Sequence, residues 1–108
     1  MSLNIKYTED QIEKIGQEGF IYTCACPSKV SEHVGNLRQL FEYQAQCLSD
    51  SDSDTPSETK THQIIMAATQ KAHEIMEQCL HDVLIHEEWD LETFTMPEHL
   101  RKKLDSSI

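Results

Sequence analysis

The sequence predicts an all-α protein built on a long antiparallel helical hairpin, with short flanking helices towards the N- and C-termini. Four segments open with a hydroxyl or acidic residue followed by Glu, Gln or Pro, which is typical of helix N-termini. Along the two longest segments, apolar residues recur at steps of three and four, as on one face of a helix. No segment shows the sustained alternation of a strand.

The length predicts a single domain over residues 1–108, because a second domain would be too small to stabilise a core of its own. Hydrophobic residues make up 38% of the chain and aromatic residues only 6%, so the core should be modest and mostly aliphatic. Pairing with another copy would help to bury apolar surface. We therefore expect a homodimer, in which two hairpins complete a four-helix bundle.

The first helix is expected over about residues 9–17, with Thr8 as its cap and Gly19 as its C-terminal stop. Residues 20–23 are expected to form an extended connector. The second helix is expected over about residues 28–48. Its predicted apolar stripe comprises Val30, Val34, Leu37, Leu40, Phe41, Cys47 and Leu48.

An acidic turn over residues 49–55 should separate the two main helices. Asp50, Asp52 and Asp54 repeat the first ligand spacing of a calcium loop. Thr55 stands where that loop needs glycine and Thr61 where it needs Glu, so a solvated turn is the better interpretation.

The longest helix is expected over about residues 56–88, capped by Thr55. Its predicted buried stripe comprises Ile65, Ala68, Ala72, Ile75, Met76, Cys79, Leu80 and Val83. After a tail with aromatic anchors at Trp89 and Phe94, a short C-terminal helix is expected over about residues 96–104.

A short turn makes the two main helices antiparallel, so residues whose numbers sum to about 104 should lie at the same height. This register places Cys26 near Cys79 and His33 near His73. It also places Leu37 against the pair Ala67 and Ala68, and Val30 near Ile75.

Three thiols, Cys24, Cys26 and Cys79, are thereby expected at one end of the hairpin. With a fourth ligand they could hold zinc or iron. His86 is the candidate for that ligand, and Asp82 and His81 are the alternatives. The same geometry allows a disulfide or a redox thiol pair, while inert buried thiols are the plainer interpretation. Cys47 is assigned to the core.

His33 and His73 form a second candidate metal pair, which in a dimer would bring four imidazoles together. The carboxylates of a di-iron Glu-x-x-His arrangement are missing, because Val30 and Gln70 stand at those positions. Partly buried histidines that bond to their helix neighbours are the alternative.

A formal charge of −10 disfavours direct binding to nucleic acid or anionic lipid and permits a basic protein partner. The longest apolar run, residues 64–68, is too short to span a membrane. The first residues lack the order of a secretory signal, so a cytoplasmic location is expected.

No nucleophile elbow, phosphate loop, dinucleotide fingerprint or zinc-protease motif occurs. The predicted function is therefore protein–protein interaction by a small acidic cytoplasmic helical protein, non-catalytic and self-associating. The alternative is a metal-binding or thiol redox protein that uses Cys24, Cys26 and Cys79. Mimicry of DNA is a third possibility, which would need acidic groups spaced like phosphates on one face.

Overall fold

The computed structural model describes residues 2–21, 26–50 and 55–100. In these ranges the chain forms three α-helices: α1 (Glu9–Ile21), α2 (Cys26–Ser49) and α3 (Pro56–His86). The same ranges contain no strand, and their only extended pairing is an isolated bridge between Asp90 and Thr95. The all-α class and the long helical hairpin with shorter flanking helical segments are confirmed.

The hairpin of α2 and α3 makes the molecule long and narrow, with extents of 59 × 22 × 18 Å. α1 packs against α2 near one end, which we call the base. The main apolar core lies there, between the helices, the N-terminal segment and the C-terminal tail. Its buried members are Tyr7, Ile12, Ile15, Val34, Leu80, Leu84, Trp89, Phe94 and Met96.

Two helices begin with the reciprocal cap that the sequence predicts. Thr8 Oγ1 accepts the amide N–H of Gln11 at 3.2 Å, while Gln11 Oε1 accepts the amide N–H of Thr8 at 2.9 Å. Thr55 and Glu58 repeat this exchange at the start of α3, at 3.2 and 3.1 Å. Each cap satisfies two amides that the first helical turn leaves without partners.

α1 runs past Gly19 to Ile21, so this glycine is not the helix stop. A Cβ added to Gly19 would lie 3.0 Å from Ser28 N and 3.3 Å from Ser28 Cβ. The glycine therefore permits close contact between α1 and the first turn of α2. Positions 20 and 21, expected as an extended connector, are helical, and positions 22 and 23 lie outside the described ranges.

α3 ends at His86, two residues before the expected boundary. Glu88 adopts a left-handed backbone conformation with φ of 62°, and its N–H donates to Ile85 O at 3.1 Å. The N–H of Trp89 donates to Leu84 O at 3.0 Å. This pair of bonds is a Schellman C-cap, accompanied by burial of Leu84 and Trp89 in the same core.

The C-terminal tail folds back into the core of its own chain. Asp90 Oδ1 accepts the amides of Glu92 and Thr93, which lowers the pKa of the Asp90 carboxyl. The ring of Phe94 meets that of Tyr7 edge-on, with centroids 5.7 Å apart. Residues 98–100 form a helical turn, and the rest of the predicted C-terminal helix lies outside the described ranges, as do residues 51–54 of the acidic turn.

α3 presents a different face to the core from the predicted one. Its buried residues are Met66, Thr69, His73, Glu77, Leu80 and Leu84. Leu80 of the predicted stripe is buried and Met76 packs against the core, but the rest of the stripe is wrong as the inward face, and Ile75 is 68% exposed. Most residues of the predicted stripe come one position before a residue that is buried in the structure. Since neighbouring residues on a helix are about 100° apart, the expected stripe lies on the side of α3.

The inward face of α2 is also partly polar. Its buried residues are Pro27, Ser31, Val34, Arg38, Phe41 and Gln44. Val34 and Phe41 belong to the predicted stripe, whereas Leu40 is 41% exposed and Leu37 is half-buried. None of the helices in the described ranges combines the length and apolarity needed to cross a bilayer.

Candidate functional site

A buried ion pair joins the two main helices. Arg38 on α2 is 7% exposed and Glu77 on α3 is 2% exposed. Arg38 Nη2 donates to Glu77 Oε2 at 3.0 Å. Burial of either charge alone would be costly, so each depends on the other and on further hydrogen bonds.

Those further bonds come from the main chain of the N-terminal strap, which we define as residues 2–7. The amides of Lys6 and Tyr7 donate to Glu77 Oε2 at 2.8 and 2.6 Å. Arg38 Nη2 donates to the Tyr7 carbonyl oxygen at 2.6 Å. The pair therefore satisfies its charges by holding the backbone of the strap at two adjacent residues.

His73 completes this network, which we call the clamp of Arg38, His73 and Glu77. Its side chain has no exposed surface, and its Nε2 accepts the Nε–H of Arg38 at 3.0 Å. That bond requires a lone pair on Nε2, so the ring is neutral with its proton on Nδ1. Within the described ranges, Nδ1 has no hydrogen-bond partner.

Burial is the main cause that lowers the pKa of the His73 imidazole, because charging the ring inside the protein is unfavourable. Arg38 lowers this pKa further, while the carboxylates of Glu77 and Glu74 act in the opposite direction. The ring thus remains uncharged at neutral pH, as its bond with Arg38 requires.

The strap runs along one side of α3. Tyr7 Oη bonds to His81 Nδ1 at 2.6 Å, and burial raises the pKa of the Tyr7 hydroxyl. Lys6 Nζ donates to Gln78 Oε1 at 3.3 Å. Nearer the tip of the hairpin, Asn4 donates to Glu74, and Gln70 donates to the carbonyl of Ser2. Residues 70, 74, 78 and 81 each directly follow a buried residue of α3.

The opposite side of the hairpin has another composition. Twelve positions directly precede a buried residue of α2 or α3, and we call them the apolar flank. They are Cys26, Val30, His33, Leu37, Leu40, Tyr43, Ile65, Ala68, Ala72, Met76, Cys79 and Val83. No Asp, Glu, Lys or Arg stands among them, although 26% of the chain is charged.

Helical geometry puts these twelve positions on one side of the molecule. In two antiparallel helices that face each other, the residues one position before the inward-facing ones lie on the same side of the pair. The residues one position after the inward-facing ones lie on the other side, where the strap runs. All twelve are exposed or half-buried, and the most exposed large apolar ones are Leu40 and Tyr43.

Of the predicted thiol cluster, the structure describes Cys26 and Cys79 and places both on the apolar flank. Cys26 and Cys79 are exposed and form no disulfide, His86 is exposed, and Cys24 lies outside the described ranges. No three or more His, Cys, Asp or Glu residues in the part of the chain that the structure describes are placed to hold a metal ion. Cys47 is half-buried.

The register of the hairpin differs from the predicted one near the base. Gln44 bonds to His62, a pair whose numbers sum to 106. Arg38 bonds to His73 and Glu77, pairs that sum to 111 and 115. The sums therefore rise above the expected 104 towards the base. His33 is exposed on the flank, whereas His73 is buried and its Nε2 lone pair is taken by Arg38.

Sequence reasoning missed Arg38, Glu77 and Tyr7 as the central residues of this site. A weak signal is present. Arg38 lies between Val34 and Phe41 at steps of four and three, so it interrupts an apolar stripe. A charged residue within an apolar stripe indicates a buried ion pair only when an opposite charge lies within the stripe that faces it. Recognising Glu77 as that opposite charge requires knowing which face of α3 points inward.

Comparison of the chain with protein-family models, with curated proteins and with solved structures finds no match.

Proposed function

We propose that the protein acts by protein–protein interaction, and that the apolar flank binds the flank of a second copy. The observation that carries the proposal is the lack of any Asp, Glu, Lys or Arg at the twelve flank positions, six of which are exposed and six half-buried, with Val30 and Met76 also packed against the core. On a helix that faces solvent, charged residues normally occupy exposed positions such as the six exposed ones of the flank. Their absence is typical of a surface that another protein covers.

A second copy fits this surface better than a basic partner does. A basic protein would be bound through carboxylates, and the flank offers none, while acidic residues lie elsewhere on the chain. A second flank presents the same mostly apolar side chains. Ala68 and Ala72 are small enough to let the backbones of two hairpins approach each other.

The size of the flank is sufficient for a dimer. Residues 65–83 extend over about 27 Å of helix, and two helices side by side are about 20 Å wide. Two such surfaces would bury about 1,000 Å² in total, near the lower limit for a specific interface. The assembly would be a four-helix bundle of two hairpins.

This dimer would belong in the cytoplasm. Cys47 and Cys79 are free thiols, in keeping with a reducing compartment. The overall charge of −10 supports a role without direct contact to nucleic acid. The thiol alternative depends on Cys24, outside the described ranges, and no specific observation favours it.

Sedimentation velocity of the full chain tests the proposal. The unmodified protein should sediment as a dimer at micromolar concentration. Leu40→Glu and Ala68→Glu each place two carboxylates in the symmetric interface, so each should weaken self-association by about a hundredfold, that is by about 2.7 kcal/mol.

Ile85→Glu is the matched control. Ile85 is 54% exposed and directly follows buried Leu84, so it lies on the side opposite the flank. This variant should dimerise like the unmodified protein, and circular dichroism should show equal helix content in all variants. A monomeric unmodified chain, or equal effects of Leu40→Glu and Ile85→Glu, would refute the proposal.

A further inference from the structure

We propose that the clamp of Arg38, His73 and Glu77 is an acid-sensitive latch: proton uptake by His73 releases the N-terminal strap from α2 and α3. The latch lies inside the hairpin and towards the side opposite the apolar flank. It is therefore independent of the proposed dimer. Its basis is that Arg38 and Glu77 bond to each other and to the main chain of the strap, while Arg38 also bonds to His73.

The neutral form of His73 is what closes the latch. The Nε–H of Arg38 points at Nε2 of the ring from 3.0 Å. A proton on Nε2 would set two donors against each other and place an imidazolium beside a guanidinium in a buried site. Arg38 would have to move, and its Nη2 would then lose the carbonyl of Tyr7, which it holds at 2.6 Å.

Protonation of His73 would also affect Glu77, by attraction instead of repulsion. Its Oε1 lies 3.6 Å from Nε2 of His73 and accepts the amide of Lys6 at 3.1 Å. An imidazolium would attract this carboxylate away from the strap amides. One proton thus weakens both bonded ends of the clamp, at the carbonyl of Tyr7 and at the amides of Lys6 and Tyr7.

The groups that face His73 come from three elements. On α3, Glu77 and Glu74 favour the charged ring; on α2, Arg38 opposes it. From the strap, Tyr7 faces the clamp, and its hydroxyl stays neutral because burial raises its pKa. Burial of His73 outweighs the two carboxylates and lowers the pKa of its ring, so the latch is closed at neutral pH.

The direction of the pH effect follows from linkage. In the unfolded chain, histidine binds its proton near pH 6.5, whereas the folded chain resists that proton to lower pH. The contribution of the neutral ring to stability is therefore complete above about pH 6.5 and is lost as pH falls towards the folded pKa. The strap should open within this acidic window.

Nuclear magnetic resonance of the full chain tests the latch. Imidazole nitrogen shifts report the titration of His73, and amide shifts of Lys6 and Tyr7 report the strap. We expect the amides to move with the midpoint of His73, below about pH 6.5. Their exchange, corrected for intrinsic pH dependence, should rise by at least about tenfold.

Two variants identify the responsible histidine. His73→Gln retains an acceptor for Arg38 and cannot titrate, so its strap amides should stay protected in acid. His81→Gln retains a partner for Tyr7 Oη and should respond like the unmodified chain. Strap amides that remain unmoved while His73 titrates, or a response that survives in His73→Gln, would overturn the proposal. If His73→Gln does not fold, coincidence of the two midpoints in the unmodified chain decides.

Discussion

Glu88 ends α3 in a left-handed backbone conformation that is unfavourable for residues other than glycine. Its φ of 62° lies in the left-handed region, which non-glycine residues enter at a cost of about 1–2 kcal/mol. The surrounding bonds impose this conformation, because Trp89 must turn back into the core over the helix end. The absence of glycine at this point also hides the end of α3 from sequence inspection.

Glu88→Gly should therefore stabilise the protein. We expect the free energy of unfolding, measured by chemical denaturation, to rise by about 0.5–1 kcal/mol. Glu88→Ala removes the same charge and retains the Cβ, so it should give no gain. Equal stabilisation by both substitutions would attribute the effect to charge instead of backbone conformation.

At the scale of elements, glycine makes the contact between α1 and α2 possible. Gly19 lies against the backbone of Ser28, and Gly16 lies against Ser31, with 3.2 Å between its added Cβ and Ser31 Oγ. Gly35 on α2 has open space around it, with nothing within 4 Å of an added Cβ. The same substitution should thus have opposite effects at two positions.

Gly19→Ala should destabilise the protein by about 1–3 kcal/mol, because backbone must shift to admit the methyl group. Gly35→Ala should stabilise it by about 0.5–1 kcal/mol through helix propensity alone. Thermal unfolding of both variants measures the difference. A stabilising Gly19→Ala would show that the two helices can separate at this point at little cost.

The helix starts were predictable because caps are local. Thr8 with Gln11 and Thr55 with Glu58 satisfy their own first turns, whatever the rest of the chain does. The inward face of α3 was not predictable in this way. Periodicity shows which side of a helix is apolar. In α3 that side is not the buried one, because the inward face includes His73 and Glu77, which bond to Arg38.

The clamp itself depends on contacts between residues far apart in sequence. The amides of Lys6 and Tyr7 reach Glu77, about 70 residues along the chain. Without the strap, burial of Arg38 and Glu77 would leave much of their hydrogen-bonding capacity unused. The thiol hypothesis assumes a register set by loop length alone, whereas the bonds of Arg38 join residues whose numbers sum to more than 104.

At the scale of the whole molecule, the hairpin divides into the base and a protruding arm. We define the arm as residues 41–49 of α2 and 56–69 of α3. The base is covered by α1, the strap and the tail, whereas the buried residues of the arm are only Phe41, Gln44, Met66 and Thr69. Two helices with so few buried apolar side chains form a thin core.

Amide hydrogen exchange should therefore be at least about tenfold faster in the arm than in the base. Peptide-level mass spectrometry at low protein concentration measures this difference. At higher concentration the arm should become protected, since Leu40, Ala68 and Ala72 of the flank lie on or beside it. Uniform protection at every concentration would mean that the arm opens only with the whole molecule.

The clamp also limits how the hairpin can assemble. If α3 slid along α2 by one turn, the interface would still be partly apolar, but Arg38 would leave Glu77 and His73. A buried charge separated from its partner costs about 3–5 kcal/mol, which is a large part of the stability of a small domain. Apolar side chains tolerate several alignments of two helices. The ion pair of Arg38 and Glu77, which is also bonded to the backbone of the strap, forms in only one alignment of α2 and α3. It therefore favours that alignment over those shifted by a helical turn.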